Sequence, residues 1–208
     1  MKLSLIVAIL LIGTTLSAQR KYSEYSDNER IILLEQKVKK NKIDISGFQG
    51  NDSILRKPVF TTEKNFYQLK MPLDTAKNFE IELFVKLEFK KGVINIWGAT
   101  HPDEKNPEYD TEEDIQYQMD IWSDGIYNVL HRLYNILIGV KGLKKIATYN
   151  DPEHRLITIR KVNKEVEFFV NKNLLLTILP PLDVNEIGIN IKNKGIEIKH
   201  LRISYLTK

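Results

Sequence analysis

The sequence predicts an all-β, antiparallel protein, and three observations carry that reading. In LITIRKVNKEVEFFVNKNLLLTIL (156–179) apolar residues recur at every second position, with breaks at Asn163-Lys164 and Asn171-Lys172-Asn173, where asparagine tolerates turn conformations that β-branched residues resist. In FEIELFVKLEF, Phe79, Ile81, Leu83, Val85, Leu87 and Phe89 share one face, and Glu80, Glu82, Lys86 and Glu88 share the other. Between Arg155 and Tyr205 four or five short strands follow one another with almost no room for a helix.

The elements follow in chain order. Residues 1–18 place one cation, Lys2, before an uncharged apolar run from Leu3 to Ile12 and end on the small residues Ser17-Ala18. This is the pattern of a secretory signal peptide, so the mature chain is expected to start near Gln19 and to be exported to a periplasm, a cell surface or the medium. The run is too short for a stable anchor, and no later window is long and apolar enough to span a membrane. Residues 19–58 form an N-terminal extension. Ser26-Asp27-Asn28-Glu29 has the form of a capping box, and Ile31, Leu34 and Val38 follow at helical spacing, which predicts a short helix. A strand over Ile31–Leu34 is the rival reading, because periodicity alone cannot assign a four-residue apolar run. Gly47, Gly50, Asn51, Asp52 and Pro58 then mark a loop.

The β domain is expected over 59–208. The charged face of the strand around Ile81 is expected to be wet, as in an antiparallel sheet covered on one side. In the next strand Ile94 and Ile96 point one way, Asn95 and Trp97 the other. HPDEKNPEYDTEED, His101 to Asp114, is an acidic insertion with two prolines and reads as a surface loop. IQYQMDIW and IYNVLHRLY flank Ser123-Asp124-Gly125, a hairpin signal. Near the C-terminus the apolar register changes from even (Ile196, Ile198) to odd (Leu201, Ile203, Tyr205), which predicts a β-bulge near Lys199-His200.

Composition narrows the function classes. The 208 residues include no cysteine, which removes disulfides, thiolate metal sites and cysteine nucleophiles together. Loss of residues 1–18 would leave 30 basic and 27 acidic side chains, a nearly balanced surface with no electrostatic case for nucleic acid. A chain of this length buries roughly 70% of its unfolded surface, enough for one domain without staples. The four histidines show no metal-ligand spacing, and neither a G-x-S-x-G elbow nor a glycine-rich phosphate loop occurs, so no cofactor and no metal are expected.

The C-terminal block has four consecutive features: Leu156, Ile157 and Arg160, then Val166 to Asn171, then Ile187-Gly188-Ile189, then Ile198, Leu201 and Ile203. In this order they resemble the end of concanavalin A-like lectin/glucanase domains of the laminin G-like type. The resemblance covers Phe60 to Leu206, with specificity after Arg155. It implies a jelly-roll-like sandwich of two antiparallel sheets and an extracytoplasmic partner such as a glycan. It does not imply catalysis, because one fold hosts many functions.

A two-residue turn at Asp124-Gly125 would set Trp122 opposite Tyr127 and Asp120 opposite Val129. Gln116, Gln118, Asp120, Trp122, Tyr127 and His131 would then share a face, joined by Trp97, while Ile115, Tyr117, Met119, Ile121, Leu130 and Tyr134 face the core. Ring faces stack on the C–H surfaces of sugars and planar polar groups bind hydroxyls, so Trp97, Gln118, Asp120, Trp122, Tyr127 and His131 are the candidate ligand-binding residues. A three-residue loop would shift the pairing and dissolve the cluster. The bland alternative makes these residues an ordinary wet face, or Trp122 a core residue.

Glu108-Tyr109-Asp110-Thr111-Glu112-Glu113 superficially matches the carboxylate motif of the laminarinase-type glucanases, whose retaining chemistry needs two carboxyls about 5 Å apart. Tyr109 and Thr111 stand where those enzymes carry apolar residues, and a solvated loop accounts better for the segment. Its acids could also hold Ca²⁺, but the spacing lacks the glycine of known calcium loops. The reading is a non-catalytic exported binding module for a carbohydrate or other extracytoplasmic ligand. The alternatives are a glycoside hydrolase using the acidic loop, or an interaction part of a cell-envelope assembly with an envelope protein as partner.

Overall fold

The computed structural model describes residues 22–49, 57–64, 66–74, 76–87, 92–100, 114–122, 126–133, 136–145, 154–163, 165–178, 185–192 and 195–207. At 100, 114–116, 122, 126–127, 130–133 and 136–145 the description covers the backbone alone. Residues 1–18, Phe89, the acidic segment 101–113 and the turn 123–125 lie outside the described residues.

The all-β, two-sheet expectation holds. Among the described residues one 3₁₀ turn (Asp27–Glu29) precedes thirteen strands: β1 (Arg30–Lys37), β2 (Val59–Glu63), β3 (Phe66–Pro72), β4 (Asn78–Leu87), β5 (Val93–Thr100), β6 (Asp114–Trp122), β7 (Ile126–Leu133), β8 (Ile136–Lys145), β9 (His154–Val162), β10 (Glu165–Val170), β11 (Asn173–Ile178), β12 (Glu186–Lys192) and β13 (Ile196–Leu206). They form a six-stranded sheet in the order β1-β13-β4-β9-β10-β11 and a seven-stranded sheet in the order β2-β3-β12-β5-β6-β7-β8.

The alternation read from the sequence builds the core. Ile81, Leu83 and Val85 of β4, Ile157 and Ile159 of β9 and Leu201 and Ile203 of β13 are fully buried, as are Ile94, Ile96, Met119, Ile187 and Ile189 of the other sheet. Tyr117 of β6 meets Phe168 of β10 edge to face, ring centroids 5.3 Å apart, which ties the two sheets together. Its hydroxyl is buried with no hydrogen-bond partner among the described residues, and burial pushes its phenol well above the ordinary value. An orphaned buried hydroxyl costs its desolvation, so Tyr117→Phe is expected to stabilise the fold by about 1 kcal/mol, read as a raised midpoint in urea with an unchanged slope. A lowered midpoint would show that the hydroxyl has a partner.

The turns follow asparagine. Val162 pairs with Glu165 and Val170 with Asn173, leaving two-residue connections. Asn163, Asn171 and Lys172 have φ of 57°, 47° and 66°; two successive positive φ values at Asn171-Lys172 are what a type I′ hairpin requires. The expected bulge is present: Ile198 pairs with Val85 and His200 with Phe84, so Lys199 is the extra residue that moves the apolar register from even to odd.

Two expectations need correction. The helix after Ser26 is not formed: the Ser26 N–H does donate to the Glu29 carboxylate (2.8 Å), but only one 3₁₀ turn follows, and Arg30–Lys37 is the edge strand β1 paired with β13. A register shift between Ile32 and Leu34 lets Leu33 and Leu34 both reach the core while Ile31 stays 52% exposed. Edge pairing and burial of two leucines outweigh the local helical spacing.

The charged face of β4 is wet only toward its end, where Phe84 is 39% exposed and Lys86 partly so; Glu80 and Glu82 are buried, and Glu88 lies outside the described residues. Glu80 is completely buried, between Arg30, which meets its Oε1, and Arg160, whose Nε donates to Oε2 at 2.6 Å. The two guanidinium side chains are only 2% and 3% exposed. Arg202 pairs with Glu82 beside them, its Nε donating at 2.7 Å. Water is excluded because residues 22–25 lie across this face: Tyr22 meets Phe169 edge to face at 5.1 Å, and the Arg160 guanidinium sits 4.7 Å from the Tyr22 ring centre and 4.8 Å from that of Tyr25.

Candidate functional site

Successive strands of the seven-stranded sheet pair Thr61 with Gln68, Gln68 with Asn190, Asn190 with Asn95, Asn95 with Asp120 and Asp120 with Asn128. Directly paired residues of antiparallel strands point to the same side. These six positions therefore form one row across β2, β3, β12, β5, β6 and β7, on the side away from Ile94, Ile189 and Met119. At the usual strand spacing the row is roughly 24 Å long.

Hydrogen bonds link the row. Gln68 Nε2 donates to Asn190 Oδ1 (3.0 Å), Asn190 Nδ2 to Asn95 Oδ1 (3.4 Å), and Asn95 Nδ2 to Asp120 Oδ1. Gln118, two residues before Asp120 and on the same face, donates from Nε2 to both carboxylate oxygens at 3.0 and 3.2 Å. Each amide carries two N–H donors and two acceptor lone pairs, more than these links use, and Gln68, Asn95, Gln118, Asp120 and Asn190 are all partly exposed. The chain of bonds fixes where the remaining donors and acceptors point, which is the preorganisation a hydroxyl-rich ligand requires.

Trp97 lies one row over. It faces away from the core, as its spacing from Ile94 and Ile96 implies, but it is only 3% exposed. Gly188 of β12 is directly opposite, and a Cβ there would fall 1.9 Å from the indole Cε2, so the ring occupies the space a side chain would fill. The Lys70 ammonium of β3 sits 5.7 Å from the ring centre. Trp97 thus braces the face from within and offers no open plate to a ligand.

The hairpin pairing differs by one residue from the two-residue turn. Met119 pairs with Val129, Asp120 with Asn128 and Ile121 with Tyr127. The last pair, Ile121 with Tyr127, is one residue out of the register that a two-residue turn at Asp124-Gly125 would set. Burial decides the matter: Val129 is fully buried, and the expected register would have put it in the row with Asp120. Of the six candidate residues, Trp97, Gln118 and Asp120 share the outward face, and Trp122 occupies the next position of β6 in the same alternation. Tyr127 and His131 fall at positions of β7 paired with Ile121 and Tyr117, residues that are themselves in the core.

Sequence reasoning missed Gln68 and Asn190 and left Asn95 out of the site. The signal was present as a single polar position in the alternations of Ile187-Gly188-Ile189-Asn190-Ile191 and Val93-Ile94-Asn95-Ile96, but only the strand order brings those positions together. Among the described residues no group of three or more His, Asp or Glu side chains is placed to hold a metal ion, and no helix is long and apolar enough to cross a membrane.

No protein-family model matches the chain, and no curated protein matches its sequence. Among solved structures the chain is similar to galectin LEC-6 of Caenorhabditis elegans, at 12% identity and a TM-score of 0.47 over 72% of this chain and 96% of that one. It is also similar to the CBM2 module of evolved Dit from Lactobacillus casei BL23 phage J-1, at 9% identity and a TM-score of 0.49 over 72% and 76% of the two chains. A third is the carbohydrate binding module CBM66 from Bacillus subtilis, at 6% identity and a TM-score of 0.37 over 71% and 88%.

Proposed function

We propose that this chain is an exported, non-catalytic binding module whose ligand is a carbohydrate lying along the Gln68–Asn190–Asn95–Asp120–Gln118 row. The observation that carries the reading is the row itself: four amides and one carboxylate, linked across four strands and half-buried at the middle of a sheet. A face that only has to be soluble is well served by lysine, glutamate and threonine. Interlinked amides instead present paired donors and acceptors at fixed positions, which suit vicinal hydroxyls. Export is read from the pattern of residues 1–18 and belongs to the same proposal.

Isothermal titration against a panel of oligosaccharides tests it. The unsubstituted chain is expected to bind at least one, and Asp120→Ala and Asn95→Ala are each expected to weaken that binding about tenfold, the effect of one lost hydrogen bond of about 1.4 kcal/mol plus the disorder of its neighbours. Affinity unchanged in both variants would remove the row as the site.

A further inference from the structure

The opposite face of the molecule carries a second arrangement that resembles a bound ligand more than a packed strand. Residues 22–25 pair with no strand of the six-stranded sheet. They are held through main-chain carbonyls and rings: Arg160 Nη2 donates to the Ser23 carbonyl oxygen at 2.9 Å, and Arg30 Nε donates to that of Tyr25 at 3.2 Å. The Arg160 guanidinium is flanked by three rings, those of Tyr22, Tyr25 and Phe169, the last at 5.4 Å. The Tyr22 hydroxyl reaches Glu82 Oε1 at 3.4 Å, and the exposed Glu24 carboxylate pairs with the Lys172 ammonium at the rim. Lys172 in turn is fixed by the positive-φ turn between β10 and β11.

We propose that the outer face of the six-stranded sheet is a peptide-recognition site for an extended segment of the pattern aromatic–x–acidic–aromatic, filled in the free chain by its own Tyr22-Ser23-Glu24-Tyr25. Each element of the pattern has a reader. Arg160 and Arg30 bind the carbonyls of the second and fourth residues whatever their side chains are. The rings of the first and fourth residues cover Arg160 against water, and Lys172 selects the acid at the third position. The arginines are already aligned, because Glu80 holds both of them from below. Departure of the strap would therefore leave a preformed site and an otherwise intact sandwich.

A binding measurement on the full chain tests this, with a fluorescein-labelled peptide of the sequence of residues 20–27, Arg-Lys-Tyr-Ser-Glu-Tyr-Ser-Asp, added to Tyr22→Ala/Tyr25→Ala. Binding is expected to be at least tenfold tighter than to the unsubstituted chain, whose site is occupied, and lost when both tyrosines of the peptide are alanine. Equal binding to the two chains, or equal binding of the two peptides, would refute it. A double variant that no longer folds would count against it too, because a displaceable segment cannot be indispensable.

Discussion

Glu80→Ala is expected to lower stability by about 3–5 kcal/mol. The carboxylate has no exposed surface and meets two guanidinium groups that are themselves almost wholly buried. Removing it leaves two buried like charges facing each other with their shared partner gone. Glu82 lies nearby, 3.7 Å from Arg30 Nη1, but it is engaged by Arg202. The asymmetry of buried ion pairs supplies the control: Arg30→Met/Glu80→Leu/Arg160→Met, which removes all three charges, is expected to recover a substantial part of the loss. Urea melts of the two variants against the parent decide it. A Glu80→Ala cost below about 1 kcal/mol would mean that water reaches the arginines in solution.

The second large effect is expected at Gly188. An alanine Cβ there would overlap the Trp97 ring at 1.9 Å from Cε2 and 2.0 Å from Cζ2, far inside any contact distance. An overlap this deep cannot be relieved by a small rotation of a ring that is itself only 3% exposed. Gly188→Ala is expected to cost about 3 kcal/mol, at the upper end of overpacking in a closed space, and to shift the tryptophan fluorescence of the folded protein to longer wavelength as Trp97 is pushed into water. The double variant Gly188→Ala/Trp97→Leu should regain much of the stability, since the smaller side chain leaves room. A single variant as stable as the parent, with an unchanged spectrum, would place the ring elsewhere.

Much of this architecture can be read in the residues themselves, and the reasons differ from element to element. The alternation of β4, β9 and β10 is unambiguous because isoleucine, valine and phenylalanine occupy every second position and nothing competes with burying them. The bulge at Lys199 follows from parity alone, and the hairpins at Asn163 and Asn171 follow from asparagine's tolerance of a positive φ. What was illegible depends on partners distant in sequence. Whether Arg30–Lys37 becomes helix or strand is settled by β13, some 170 residues later in the chain. That Glu80 is buried is settled by Arg30, Arg160 and Tyr22, not by the alternation that places it outward. The one-residue error at Ser123-Asp124-Gly125 arose because Asp-Gly is a strong local signal, while the pairing of Met119 with Val129 is a tertiary one. The candidate site was legible only in part for the same reason. Trp97, Gln118 and Asp120 belong to neighbouring strands that are close in sequence, whereas Asn190 comes from a strand inserted between β3 and β5.

That insertion has its own consequence. The two strands that arrive last, β12 and β13, occupy interior positions, one in each layer, and β13 separates β1 from β4. Until those two strands are made, β3 and β5 in one layer and β1 and β4 in the other each lack the neighbour that joins them. Such a polypeptide matures late and all at once, and in the interval it depends on whatever in the cell shields unpaired backbone from other chains.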